Sequence, residues 1–477
     1  MRTQAGPEMG QKGVSLILTV AMLGVILPIV GLAVDASLLY AIKARLSAAA
    51  DAGALAGARS LNRGVDLASQ TASATSTATA FFGADFPNGY LMTTNRILTV
   101  TVAESAYRTR TVRMDASVDA PAYFMRMLGF GLTTVRVAGM ASRRDVNVIL
   151  VLDRSGSLTT AGACDDLRAA STAFVDKFAQ GRDRVGLITY GGSSRLDYAP
   201  SFSFKTDSPS PLTLIAALAC NGGTGSAQAL WQGYQELVTI NEPGALNVLL
   251  FFTDGQPNAI TAQFPVKTQT TTYSPTGKST CLDEAGRSNS NPAWSPGPKL
   301  GFINVNVGID IRGVRIHLAP TIPVSADPLK IANSSGCYFA SDLANAYKDI
   351  AYTPDTDYYG TSLWGYKTAL STYSSGPYAG KLKISSETTM VNASINAVDN
   401  AAQRIRQNVN LGVVVYAIGL GGAGAAEHEL LRRVSNDPQS PIYDNTKPAG
   451  FYVYAPTPSQ LSEAFAKVAS EILRLAL

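Results

Sequence analysis

Three short segments carry side chains whose types and spacing could do chemistry together. They are Asp153-Arg154-Ser155-Gly156-Ser157, Gly222-Gly223-Thr224-Gly225 and Thr253-Asp254-Gly255. Among their side chains are two carboxylates, Asp153 and Asp254, and the hydroxyls of Ser155, Ser157 and Thr224. These are hard oxygen donors, enough to complete most of an octahedron around Mg²⁺. No thiolate or imidazole is among them, so Mg²⁺ or Mn²⁺, with Ca²⁺ as a further oxygen-seeking ion, is preferred to Zn²⁺. Mostly neutral donors would leave such an ion electron-poor, so its open position would suit an acidic group from a partner. Each segment alone is a weak signal, because Ser, Gly and Asp are common in turns. The bland alternatives are a set of structural turns, or a retained site that binds nothing.

The surrounding elements are those that bring such segments together. VNVILVL (146–152), RVGLITY (184–190), LNVLLFFT (246–253) and LGVVVYAIGLG (411–421) are apolar runs, as expected for strands buried on both faces. Helical stretches lie between them at 165–180, 226–240 and 392–408. Alternation of this kind predicts an α/β fold, a doubly wound and mostly parallel sheet with helices on both sides. Sites in such folds lie at the carboxyl ends of the strands, where two of the three segments directly follow a strand. Near the end of the chain, Leu461, Phe465, Val468 and Ile472 give a one-faced helix for the same sheet.

The DxSxS, Gly-Gly-Thr and Thr-Asp-Gly segments, in this order and after strands of this kind, resemble the von Willebrand factor A domain and its metal-ion-dependent adhesion site. The stretches 416–437 and 450–472 look like the last strand-to-helix units of that domain. The resemblance implies that Ser155, Ser157 and Thr224 bind the metal directly or in one of its states. Asp153 and Asp254 would bind it directly or through water. Residues 145–477 number 333, against about 200 for a domain of this kind. The excess is an insertion at 256–390, which holds nine of the 20 tyrosines. Springing from a loop beside the site, it could shape the binding face, or it is a tolerated elaboration.

Residues 14–34, VSLILTVAMLGVILPIVGLAV, carry no charge. As a helix they reach roughly 31 Å, close to the hydrocarbon thickness of a bilayer. The run is longer than the apolar core of a cleaved signal peptide. The Ala-rich stretch 35–62 continues the helix, with Gly53 and Gly57 at a spacing that lets helices approach closely. The apolar run closed by Asp35, followed by AAADAGALAGA (48–58), resembles the N-terminal segment of the Flp pilus-assembly TadE/TadG-like family. The pseudopilin branch is cleaved after a Gly and needs a Glu five residues on. Here Gly13 is followed at that offset by Leu18, which argues for a retained anchor as in the TadG branch. Flanking charges do not fix the orientation. The short head (1–13) and long remainder favour a cytoplasmic N-terminus, a single-pass inner-membrane helix and a periplasmic bulk.

Between anchor and main domain, residues 63–144 predict a small α+β linking module. Ser and Thr rise at 69–79, strand-like alternation follows at 97–103, 109–120 and 132–142, and 121–130 predicts a short helix opened by Pro121. Four cysteines, Cys164, Cys220, Cys281 and Cys337, contain no CxxC and suit two disulfides in an oxidising space. Three pairings are open. The loop arrangement of the von Willebrand-type fold implies Cys164–Cys220, which leaves Cys281–Cys337 within the insertion.

Composition excludes several classes. Net charge is +4 over 477 residues with no dense basic run, against a nucleic-acid partner. Two distant histidines, His317 and His428, give no His-rich zinc site and no Ser-His-Asp set. His428, between Glu427 and Glu429, reads as a surface residue. With no phosphate-cradling loop either, a metal-dependent hydrolase is disfavoured, and no small-molecule substrate is expected. The expected function is a membrane-anchored, metal-dependent protein-binding module. Both resemblances imply assembly or anchoring of a Flp/Tad-type pilus, and an exported surface adhesin is the alternative.

Overall fold

The computed structural model describes residues 11–64, 66–129, 131–192, 194–266, 281–282, 288–289, 297–305, 314–318, 352–383, 386–424 and 427–476. The chain divides into two compact units between Arg143 and Arg144.

The first unit contains α1 (Gln11–Ser60), α2 (Leu67–Asp85), β1 (Thr94–Ala106), β2 (Thr109–Pro121) and all but the last residue of β3 (Leu132–Arg144), with the strands in the order β1-β2-β3. Helix α1 changes character along its length. From Leu18 to Val34 its large side chains are exposed on every side; Val25 and Ile29 are each 61% accessible. After Asp35 one face turns inward, and Ile42, Leu46, Ala49, Ala50, Ala54 and Ala58 are fully buried. They pack on Ala74, Ala78 and Phe82 of α2 and on Val112, Met114 and Val118 of β2. The small residues serve this packing within the chain. A Cβ on Gly53 would lie 2.5 Å from Met114 Sδ and 2.9 Å from the Ala78 carbonyl, and one on Gly57 3.0 Å from Ala78 Cβ. The exposed part of α1 is long and apolar enough to cross a membrane.

Two local differences from the sequence reading have physical causes. The Ser/Thr-rich stretch forms helix α2, opened by a capping box in which the Asp66 carboxylate accepts from Ser69 N–H at 2.7 Å. Its buried face, Gln70, Ala74, Ala78 and Phe82, recurs every four residues, but small side chains hide that period from a hydrophobicity reading. Residues 121–130 do not form the expected helix. Strand β2 runs through Pro121, and only Met125–Leu128 make a single 3₁₀ turn. The amides ahead of that turn are satisfied from outside it: the Asp35 carboxylate of α1 accepts from Tyr123, Phe124 and Met125 N–H at 3.0, 2.9 and 2.7 Å.

The second unit runs β4 (Val146–Asp153), α3 (Gly156–Thr160), α4 (Cys164–Val175), β5 (Arg184–Tyr190), β6 (Ser194–Ser201), α5 (Pro211–Ala216), α6 (Ser226–Ile240) and β7 (Leu246–Gly255). It continues with β8 (Ala259–Val266), β9 (Cys281–Leu282), β10 (Ser288–Asn289), β11 (Gly297–Val305), β12 (Val314–Leu318) and α7 (Glu387–Arg406). It ends with β13 (Val414–Gly424), α8 (His428–Ser435), β14 (Tyr452–Ala455) and α9 (Leu461–Leu475). Six strands form one sheet in the order β14-β13-β7-β4-β5-β6, parallel except for the β5–β6 edge. All eight residues of β4 are buried, because both faces are covered. Ile149, Val151, Leu249 and Phe251 point to the side of α6 and α7. Val148, Leu150, Leu250 and Phe252 meet Leu167 and Phe174 of α4 and Phe465 and Val468 of α9. The fold is the α/β, mostly parallel architecture expected of a von Willebrand-type domain.

Part of the 256–390 stretch is folded onto this unit. Strands β8, β11 and β12 make a three-stranded antiparallel sheet, and Ile260, Ala262 and Phe264 of β8 join the core on the α6–α7 side. Residues 352–383 lie along α7. Asn396 Nδ2 donates to the carbonyls of Leu363 and Lys367 at 3.1 and 3.0 Å, and Asn400 Nδ2 donates to those of Ser362 and Trp364 at 2.9 and 2.8 Å. Several tyrosines here pair with one another, Tyr352 and Tyr373 each with Tyr378.

Candidate functional site

The parallel pairing of β4 with β7, Val146 beside Leu246 through Leu152 beside Phe252, sends both strands out of the sheet at the same edge. Asp153 ends β4 and Asp254 lies at the end of β7, so the two carboxylates meet there. Hydrogen bonds link four of the five expected residues. Asp153 Oδ1 accepts from Ser155 N–H at 2.8 Å. Ser155 Oγ and Ser157 Oγ are 2.9 Å apart. Both hydroxyls donate to Asp254 Oδ1, at 3.2 and 2.8 Å.

Thr224 arrives on the third loop. Gly156 N–H donates to Gly222 O at 3.0 Å, and Asn221 N–H to Arg154 O at 2.6 Å, which lays the Gly222–Gly225 segment against the first loop. Thr224 itself is buried, and its N–H donates to Asn258 Oδ1 at 2.7 Å. The Cys164–Cys220 disulfide closes the same two loops from behind, joining the start of α4 to the residue before Asn221. Cys337 and the side chain of Cys281 lie outside the described residues.

Three supporting contacts were not singled out from sequence. Thr253 Oγ1 donates to Asp153 Oδ2 at 2.7 Å, so the residue before Asp254 orients the other carboxylate. Arg154 Nη1 donates to Asn221 Oδ1 at 3.0 Å and braces the loops. Asn258 holds Thr224. Thr253 could have been found from its place in the Thr-Asp-Gly segment; Asn221 and Asn258 carry no signal without the fold. His428 stands apart from this cluster at the start of α8, with Nδ1 2.6 Å from Tyr452 Oη.

The electrostatics are those of an unbalanced acidic pair. Asp153 is fully buried; burial, then the charge of Asp254, push its carboxyl up from 3.8 to about 8, against the opposing hydrogen bonds from Ser155 and Thr253. Burial raises Asp254 as well, while Ser157 and Ser155 pull it back. Among the described residues no Lys, Arg or His forms an ion pair with either carboxylate. Buried charges need a partner, and a divalent cation fits the donor set: two acids that no side chain among the described residues pairs with at ion-pair distance, with hydroxyls between them. Among the described residues no group of three or more His, Cys, Asp or Glu is gathered, so the acid content here is two and the remaining donors are neutral.

With this geometry in place, the comparisons agree with both resemblances. Residues 147–273 match the family model of the von Willebrand factor type A domain. Residues 13–60 match the model of the Flp pilus-assembly TadE/G-like family. The chain therefore carries a TadE/G-like segment followed by a von Willebrand factor A domain. Among curated proteins it is 27% identical over 128 residues to the calcium-activated chloride channel regulator 3A-1 of Mus musculus, which is 26% of this chain and 14% of that protein. Similar solved structures include the PilB minor pilin of Streptococcus sanguinis, at 14% identity over 80% of this chain and 79% of that one, with a TM-score of 0.35. The vWF domain of the type V pili tip protein Mfa5 of Porphyromonas gingivalis is another, at 17% identity over 71% of this chain and 98% of that one, with a TM-score of 0.37.

Proposed function

We propose that Asp153, Ser155, Ser157, Thr224 and Asp254 hold a divalent cation, Mg²⁺ or alternatively Mn²⁺ or Ca²⁺, and that the module binds a protein partner through an acidic side chain. The observation that carries the reading is the hydrogen-bonded cluster of two buried carboxylates with Ser155 and Ser157 at one sheet edge. A bound cation would supply a positive centre for the incoming carboxylate, and the chain's own hydroxyls would leave that centre electron-poor. The role is binding, not catalysis.

The TadE/G-like segment supports a setting in the assembly or anchoring of a Flp/Tad-type pilus, with pilus or assembly components as partners. In this reading α1 anchors the chain in the bacterial inner membrane, and the bulk of the chain, with its Cys164–Cys220 disulfide, faces the periplasm. The test is chemical crosslinking in intact cells followed by capture of the full chain, with and without a chelator. Partners that appear with Mg²⁺ and disappear on chelation and in Asp254→Asn support it. Identical partners in all three cases refute the metal dependence.

A further inference from the structure

We infer that the linking module itself sits on the lipid surface, through a collar of exposed apolar side chains held at the exit of the anchor helix. The inference rests on the reading of α1 as a membrane span. Asp35 marks the place where α1 stops being exposed all round and begins to pack on protein. Its carboxylate is buried and takes the three amides of Tyr123, Phe124 and Met125. That fastens the 122–128 segment to the span. The Phe124 ring reaches one turn further along the apolar stretch and lies against Gly31, where a Cβ would stand 2.5 Å from Phe124 Cγ. Glycine is needed there by close approach.

The side chains displayed at this point are those of a membrane interface. Tyr123 is 49% accessible and Phe124 44%. Tyr123 Oη lies 3.0 Å from the Met92 sulfur, and Met92 is 70% accessible. Leu132, next to the Gly131 carbonyl that accepts from Ala122 N–H, is 62% accessible. The backbone is strained in keeping with this display. Leu91 and Met92 have φ of 50° and 61°, left-handed values that favour glycine over residues with a side chain. Both side chains are exposed. Arg126, exposed in the same turn, has a long apolar stem that can lie along the acyl boundary while its guanidinium stays among the headgroup phosphates. An aromatic pair, a cation and continuity with the lipid-exposed helix commit the collar to one occupant, the boundary between headgroups and acyl chains. The module would then be fixed against the bilayer, not free on a tether.

The test places single tryptophans in the full chain reconstituted in vesicles of phosphatidylcholine and phosphatidylglycerol. Tyr123→Trp and Leu132→Trp report the collar, and Val25→Trp reports the middle of the span. The readout is the fluorescence added over the unsubstituted protein, and its loss to lipids brominated near the headgroup end or near the end of the acyl chain. The inference expects both collar reporters to lose most to the headgroup-end lipid, and Val25→Trp to lose most to the chain-end lipid. Collar reporters unquenched while Val25→Trp is quenched would overturn the collar and leave the anchor standing. All three unquenched would overturn the anchor, and the collar with it.

Discussion

Replacing Asp153 by Asn should make the metal-free protein more stable at alkaline pH and blind to Mg²⁺. The substituted amide keeps one carbonyl oxygen for the Ser155 N–H, and Thr253 Oγ1 can turn to Gly255 O, already 3.2 Å away, when its carboxylate acceptor goes. The charge is what changes. In the folded chain burial and the charge of Asp254 push the Asp153 carboxyl up to about 8, from an ordinary value of 3.8. Between those values the folded state holds a proton that the unfolded state has released, so stability falls as pH rises from about 4 to about 8. At about 1.36 kcal/mol per tenfold, the ceiling is roughly 6 kcal/mol. Because Asp254 shares the repulsion, a gain of about 2–4 kcal/mol for Asp153→Asn at pH 8 in chelator is expected. Mg²⁺ at a hundred times its dissociation constant should return about 2.7 kcal/mol to the natural protein and nothing to the variant. All three tryptophans, Trp231, Trp294 and Trp364, follow Arg144 in the chain, so denaturant unfolding read by tryptophan emission reports this unit. A variant less stable than the natural protein at pH 8 in chelator, or one stabilised equally by Mg²⁺, would refute the reasoning.

Other outcomes follow from single contacts. Thr253→Val removes the hydroxyl that orients Asp153 and should weaken Mg²⁺ affinity about 10- to 100-fold in calorimetry, with the fold unchanged by circular dichroism. Reducing the Cys164–Cys220 bridge, which spans 56 residues, should cost about 2–4 kcal/mol in denaturant unfolding and loosen the first and third loops. Asp357, buried and pushed up to about 6, destabilises the fold as pH rises from about 4 to about 6. Asp357→Asn should therefore stabilise the protein by about 1–2 kcal/mol at pH 7 and show no gain at pH 4. Phe465→Ala, which empties the space between Phe174 and Phe252, should cost about 3–5 kcal/mol in the same measurement.

Local pattern alone was enough for the four inner strands β4, β5, β7 and β13 and for the segments that carry oxygen donors, but not for the edge strands β6 and β14. A strand covered on both faces must be apolar throughout, so Val146–Asp153 and Leu246–Gly255 announce themselves in the amino-acid order. Turn residues that follow such strands mark the candidate site, and the long uncharged run marks α1. What the amino-acid order left open depends on pairs far apart in the chain. Three cysteine pairings were possible until the loops of Cys164 and Cys220 were brought side by side. Helix α2 was invisible because its packing face is mostly alanine, which presents no hydrophobic period. The support that Thr253 gives Asp153, and the grip of Asp35 on an amide cluster 88 to 90 residues away, exist only in the folded register. Hydrophobic periodicity is a property of neighbours along the chain. The balance of buried charges and amides is settled by neighbours in space, and those only the assembled fold chooses.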